Sequence, residues 1–93
     1  MLELKTIVIK ILSKSPKHGY QLVKDIEKKL GKKVSLGGIY TILNELEEKG
    51  LIRGHEMVEF GRFKKVYSVT PKGKEVLEKL ENKFKKYKRF MES

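Results

Sequence analysis

Arg62, Lys64 and Lys65 put three cations into four residues, with Phe63 between them. A basic cluster interleaved with an aromatic suits a phosphate backbone, or a minor groove where Arg is favoured. Lys32 and Lys33 make a second basic pair, just ahead of Ser35, Gly37, Tyr40, Thr41 and Asn44. That second run is uncharged and small, with one aromatic, and an Asn within it can pair with adenine. Each group also has a plainer reading. The cations could decorate a solvated turn, and Gly37 and Gly38 could only let a neighbouring helix pack closely. Catalytic chemistry finds no such foothold. There is no Cys, no His paired with a carboxylate at useful spacing, and no phosphate loop. His18 and His55 are too few for a zinc site without carboxylate help. No enzyme activity, metal or cofactor is expected.

Charge points the same way. Lys plus Arg number 22 against 12 for Asp plus Glu, a formal +10 on 93 residues. That balance favours a polyanion, of which nucleic acid is the commonest. A Lys- and Glu-rich thermophile surface is the alternative, but it does not need so large an excess. Glu3, Lys5 and Lys10 interrupt the apolar run at the start, so no signal peptide is read there. No stretch approaches the ~20 apolar residues of a membrane span. A cytoplasmic protein with no membrane partner is expected. A chain this short buries only about 60–65% of its unfolded surface, so one domain with a modest core, completed by a second copy, is the natural expectation.

The elements that must position these residues read off the periodicity. Residues 36–49 form a helix capped by Ser35 and stopped by Gly50, with Ile39, Leu43 and Leu46 on one face. Glu45, Glu47 and Glu48 keep its far end wet. Ahead of it, residues 3–12 carry a wide apolar stripe of Leu4, Ile7, Val8, Ile11 and Leu12, with Ile9 extra. Pro16 breaks the chain over 13–17. A second helix over 19–30 turns Leu22, Val23, Ile26 and Leu30 inward and Lys24, Glu27 and Lys28 outward, and Gly31 ends it. After Gly50, a strand over 51–58, a turn over 59–64 and a strand over 65–69 make a hairpin with the cations at its tip. Thr70 and Pro71 start a last helix. In it Leu77, Leu80, Phe84, Tyr87 and Met91 are spaced three, four, three, four, an a/d seam that asks for a partner.

The fold class is therefore mainly α (α+β), in the order α-α-α-β-β-α, a winged helix-turn-helix. Residues 1–70 form the winged part, and 71–93 a dimerisation helix of the same single domain. The second and third helices are the helix-turn-helix pair, and the hairpin is the wing. On these residues the chain resembles the PadR family of transcriptional regulators over nearly its full length. The matching pieces are His18-Gly19-Tyr20, Ser35-x-Gly37 with Ile39-Tyr40, and Leu46-Glu47 with Gly50-Leu51-Ile52. Gly61-Arg62-x-Lys64-Lys65-x-Tyr67 and Thr70-x-x-Gly73 complete them. The single last helix is similar to the short branch of that family. The resemblance implies a homodimeric repressor on a near-palindromic operator in double-stranded DNA, in some relatives released by phenolic or drug-like ligands. Three departures stand out. Thr41 replaces a frequent Pro, Asn44-Glu45 replaces a frequent Lys or Arg, and no Trp is present to build a stacking pocket.

The expected DNA contacts are then Lys32, Lys33, Arg62, Lys64 and Lys65 on phosphates, and Ser35, Gly37, Tyr40, Thr41 and Asn44 on the reading face. The expected dimer interface is Leu77, Leu80, Phe84, Tyr87 and Met91 with Leu4, Ile7 and Ile11 of the first helix. Two alternatives stay open. One is a docking module whose acidic third helix binds a protein. The other is a sensor of a small aromatic effector held at the dimer interface by Phe84, Tyr87 and Phe90. His18 reads as a capping residue, Tyr20 as a packing residue, and His55 as solvated. Gly73 has no evident cause, and the basic run from Lys83 to Arg89 reads as a wet helix face.

Overall fold

Helix α1 (Leu4–Lys14) is the post around which the chain is built. Val8, Ile9, Ile11 and Leu12 are all buried, so Ile9, off the main stripe, is also covered. Helices and sheet close around α1 from several sides, and a helix enclosed that way needs apolar residues beyond one face. The structure, a computed structural model, describes residues 3–92. The outermost positions of the expected division into 1–70 and 71–93, residues 1, 2 and 93, lie outside it. α1 runs two residues past the expected end at Leu12.

Pro16 follows, and then a strand the sequence does not announce. β1 (Lys17–His18) pairs antiparallel with the hairpin, Lys17 opposite Tyr67 and His18 opposite Val66. The order is therefore α-β-α-α-β-β-α, and the sheet has three strands, β1-β3-β2. Two residues cannot show a period of two, so this pairing is decided by tertiary contact alone.

α2 (Gly19–Leu30) begins where His18 Nδ1 accepts from the Gln21 N–H at 3.2 Å. Leu22, Val23 and Ile26 are buried, but Leu30, expected inside, is 39% exposed. Glu27, expected outside, turns in instead. Its carboxylate accepts from the Val34 N–H at 3.0 Å and closes the link to the next helix. An unpaired N–H in that tight connection needs an acceptor, and Glu27 supplies it.

α3 (Leu36–Glu48) starts at Ser35, whose hydroxyl accepts from the Gly38 N–H at 3.1 Å. Ile39, Leu43 and Leu46 are buried. The helix ends in a paired lock. The Leu51 N–H donates to the Leu46 carbonyl at 2.9 Å and the Gly50 N–H to the Glu47 carbonyl at 3.0 Å, with Gly50 at φ 74°. This is the Schellman arrangement, and it needs a left-handed residue at that point.

β2 (Ile52–Glu59) and β3 (Arg62–Val69) form the hairpin, in register from Ile52 opposite Val69 to Glu59 opposite Arg62. The expected turn over 59–64 shrinks to Phe60 and Gly61, at φ 52° and 74°. Two left-handed residues in a row match the strands' twist, so pairing continues almost to the end. Tyr67 is 2% exposed and sits in the core.

α4 (Pro71–Glu92) is capped by Thr70, whose hydroxyl accepts from the Gly73 N–H at 3.1 Å and donates to the Gly50 carbonyl at 2.6 Å. Gly73, unexplained in the sequence, lies against the Leu51 carbonyl, where a Cβ would collide. The dimer expectation needs one correction. Leu77 and Ile11 are 5% and 3% exposed, so the protomer's own core already takes them, because α4 lies along α1 there. Leu4 and Ile7 are half-buried. Leu80, Phe84, Tyr87 and Met91 are open, at 40–64% exposure. Lys10 bridges to Glu81 at 3.2 Å. At ~1.5 Å per residue α4 is about 33 Å long, and the molecule extends 56 Å in its longest direction. No helix among the described residues is long and apolar enough to cross a membrane.

Candidate nucleic-acid interface

Burying Ile39, Leu43 and Leu46 fixes what α3 leaves open. Gly37, Tyr40, Thr41 and Asn44 are exposed, and their spacing puts them on one side of the helix. A Cβ at Gly37 or Gly38 would meet only atoms of Ser35. Among the described residues no neighbouring helix packs on these glycines, so close helix packing is not their cause. The front of α3 is a thin, neutral ridge.

Tyr40 is steadied from an unexpected quarter. Its hydroxyl end lies against Gly19, where an added Cβ would collide with the ring. Gly19 of the His18-Gly19-Tyr20 motif therefore makes room for Tyr40 at the start of α2. Tyr20 is not a packing residue as expected. It is 58% exposed, with the Lys24 ammonium 5.3 Å from its ring centre, because an aromatic beside a cation tolerates water on its other side. The Thr41 hydroxyl donates to the Gly37 carbonyl at 3.0 Å, which occupies its proton.

The acids of α3 are largely answered. Glu45 meets Lys5 at 2.7 Å and Glu47 meets Lys65 at 3.1 Å. The Lys5 hydrogen bond holds the Glu45 carboxyl below the usual carboxylate range. The Lys65 hydrogen bond does the same for Glu47, burial opposes it, and the Gly54 N–H adds to it. Glu47 thus has two partners on the hairpin, since the Gly54 N–H also donates to it at 3.1 Å. Gly54 is bare because the Lys65 stem crosses over it, where a Cβ would collide. Lys65 also lies 5.4 Å from the Tyr67 ring centre. Tyr40, Asn44 and Glu47 follow at spacings of four and three, so the open stripe of α3 leads directly to the wing.

Wing and ridge therefore form one surface. Arg62, Lys32 and Lys33 are exposed, and none has a carboxylate partner among the described residues. Lys64 is half-buried and lies 3.5 Å from Glu59. Lys65, expected to be free for phosphate, is engaged by Glu47, because the cross-over at Gly54 brings its ammonium there. Glu47 itself was missed as a wing anchor. Its place beside two other glutamates makes it look like a solvated end, and only its distance from Gly54 in the fold reveals the role. His55 is exposed, as expected. No group of three or more His, Cys, Asp or Glu able to hold a metal occurs among the described residues.

Residues 8–79 match the transcriptional regulator PadR-like family. A PadR-like transcriptional regulator from Bacillus cereus superposes with a TM-score of 0.84 at 28% identity, over 96% of this chain and 87% of that one. PadR of Bacillus subtilis, solved in complex with operator DNA, gives 0.75 at 26% identity over 83% of this chain and 45% of its own. An uncharacterised protein of a Streptomyces fradiae transposon is 37% identical over 73 residues, which is 78% of this chain. The chain spans only 20% of that relative's length.

Proposed function

The chain belongs to the PadR-like family of transcriptional regulators, and from that premise we propose a homodimeric repressor of a near-palindromic operator in double-stranded DNA. One observation carries this reading. The open stripe of α3 ends at Glu47, which is joined to the hairpin through Gly54 and Lys65, and two of the three carboxylates of α3 are already matched by Lys5 and Lys65.

In this reading α3 enters the major groove. Asn44 pairs with adenine, and Thr41, its hydroxyl occupied, offers its methyl to thymine. Gly37 and the Ser35 cap let the phosphate backbone come close. Tyr40, braced by Gly19, contacts a base or sugar. Lys32, Lys33, Arg62 and Lys64 hold phosphates and set the register. A second copy lays its α4 along the first. Leu80, Phe84, Tyr87 and Met91 form the seam, beside a groove of about 300 Å³ between α1 and α4 lined by Ile7, Ile11, Leu77, Leu80 and Phe84. The pairing holds two α3 helices about one DNA turn apart, ~34 Å. The same apolar groove is where a small aromatic effector would compete with that pairing.

The rival, a protein-docking module, rested on an acidic α3, and the ion pairs remove most of that acidity. Titration of duplex DNA at ~0.15 M salt separates the two. A regulator binds a preferred sequence far more tightly than random DNA, and its affinity falls steeply as salt rises. Weak binding that ignores sequence would count for the docking module.

A further inference from the structure

The far end of the wing carries side chains that the contacts above leave unused. Val58, Phe60 and Phe63 are 65%, 94% and 82% exposed. They stand at the end of the hairpin most distant from the core. Val58 faces Phe63 across the strands, and both lie on the sheet face that begins with Ile52 and Tyr67, because alternate residues share a face. Phe60 takes the first turn position at φ 52°. Asn, Asp or Gly fits that conformation, and a bulky residue there is strained. A solvated turn has no need of a strained aromatic, and an apolar hairpin end invites aggregation.

The opposite face carries Arg62 and Lys64, with Glu59 across from Arg62 and 3.5 Å from the Lys64 ammonium, so it keeps an excess of one positive charge. The tip therefore has one aromatic side and one basic side, on a chain of net charge +10. Two such tips, each with an Arg62 that has no carboxylate partner among the described residues, would repel each other. The duplex minor groove complements it on both counts, with phosphates along its rims and sugar and base edges on its floor.

We infer that the wing tip is an apolar wedge: Phe60 and Phe63 enter the minor groove and part a base step while Arg62 and Lys64 hold the phosphates beside it. This rests on the DNA-binding reading above and adds two consequences. The DNA kinks at the wing, as it does where other proteins insert apolar side chains. The wing also selects flexible pyrimidine–purine steps, TA and CA/TG, which unstack most easily, although no base edge there is read by hydrogen bonds.

The test uses the full chain and a duplex that the protein itself recovers from a random pool. 2-Aminopurine, which brightens on unstacking, is placed in turn at each position flanking the half-sites. The comparison is Phe60→Asn with Phe63→Thr. Asn accepts a left-handed backbone and Thr suits a strand, so the hairpin is kept and no charge changes. The wild type raises the fluorescence several-fold at one step per half-site, and the double variant does not. The variant also binds roughly ten- to a hundredfold more weakly, with an unchanged salt slope. No brightening at any position with wild type bound, or equal affinity of the variant, overturns the wedge while leaving salt-dependent, sequence-selective binding in place. A wild type that binds no duplex overturns the DNA reading with it. Wild type that floats with phosphatidylglycerol vesicles, the double variant failing to, with DNA affinity equal in both, assigns the tip to a membrane and overturns the wedge.

Discussion

Replacing Glu47 by Gln is expected to weaken the fold slightly and yet strengthen DNA binding. In the protein Glu47 accepts from Lys65 at 3.1 Å and from the Gly54 N–H at 3.1 Å. The two charged side chains are 32% and 41% exposed, so the ion pair is worth about 0.2–1 kcal/mol after screening. Gln keeps an acceptor for Gly54, so the loss of stability stays at about 1 kcal/mol or below. On DNA the balance reverses. The variant removes a negative charge from the reading side and frees the Lys65 ammonium for a phosphate. One more neutralised phosphate steepens the log–log salt dependence by about 0.9 per protomer. Taken from ~1 M to ~0.1 M salt, that slope amounts to about eightfold in affinity per protomer. Anisotropy titrations of a labelled duplex over ~0.05–0.3 M salt read the slope, and urea unfolding reads the stability. Weaker binding with an unchanged slope would refute the reasoning. Glu47 would then only fix the angle of the wing, and Lys65 would not be a reserve phosphate ligand.

Three further outcomes follow from the same geometry. Leu80→Ser with Phe84→Ser is expected to give a folded monomer by sedimentation, since both side chains are exposed in the protomer, whereas Leu77→Ala removes core and costs about 2–4 kcal/mol in urea unfolding. Gly73→Ala forces a Cβ onto the Leu51 carbonyl, which cannot yield, and is expected to cost about 3 kcal/mol. Gly19→Ala meets only the end of the half-exposed Tyr40 ring and is expected to cost about 1 kcal/mol, so equal urea midpoints for these two variants would contradict the packing described. Finally, the Glu47 carboxyl is held below its ordinary value of 4.5 in the folded protein. As pH falls through 4.5 the unfolded chain takes up its proton first, so this group's stabilising contribution declines from there and is gone below the folded value. Unfolding midpoints from about pH 6 to pH 3 are expected to fall less for Glu47→Gln than for wild type.

The helix ends were the most legible features, because each is a local piece of chemistry. Ser35, Thr70 and Gly50 need only their nearest neighbours to do their work, and each sits where its residue type requires. The side chains that buttress the site were less legible, because they act across the chain. Glu27 reads as an outward residue until the Val34 N–H needs it. Glu47 reads as one of three solvated acids until Gly54 and Lys65 arrive beside it. β1 is too short for any pattern, and the hairpin turn contracts because Phe60 takes a backbone conformation its residue type disfavours. Leu77 and Leu80 share one heptad pattern, yet one is in the core and the other open, since periodicity gives a face and not the place where a neighbour stops covering it.

The most direct test of a paired reading head is selection of duplexes from a random pool by the purified protein, with the mass of the complex measured on the winning sequence. Two inverted half-sites with centres about 10 bp apart, bound by two chains, is the result this account predicts. A single asymmetric site bound by one chain, or no enriched sequence at all, would contradict it.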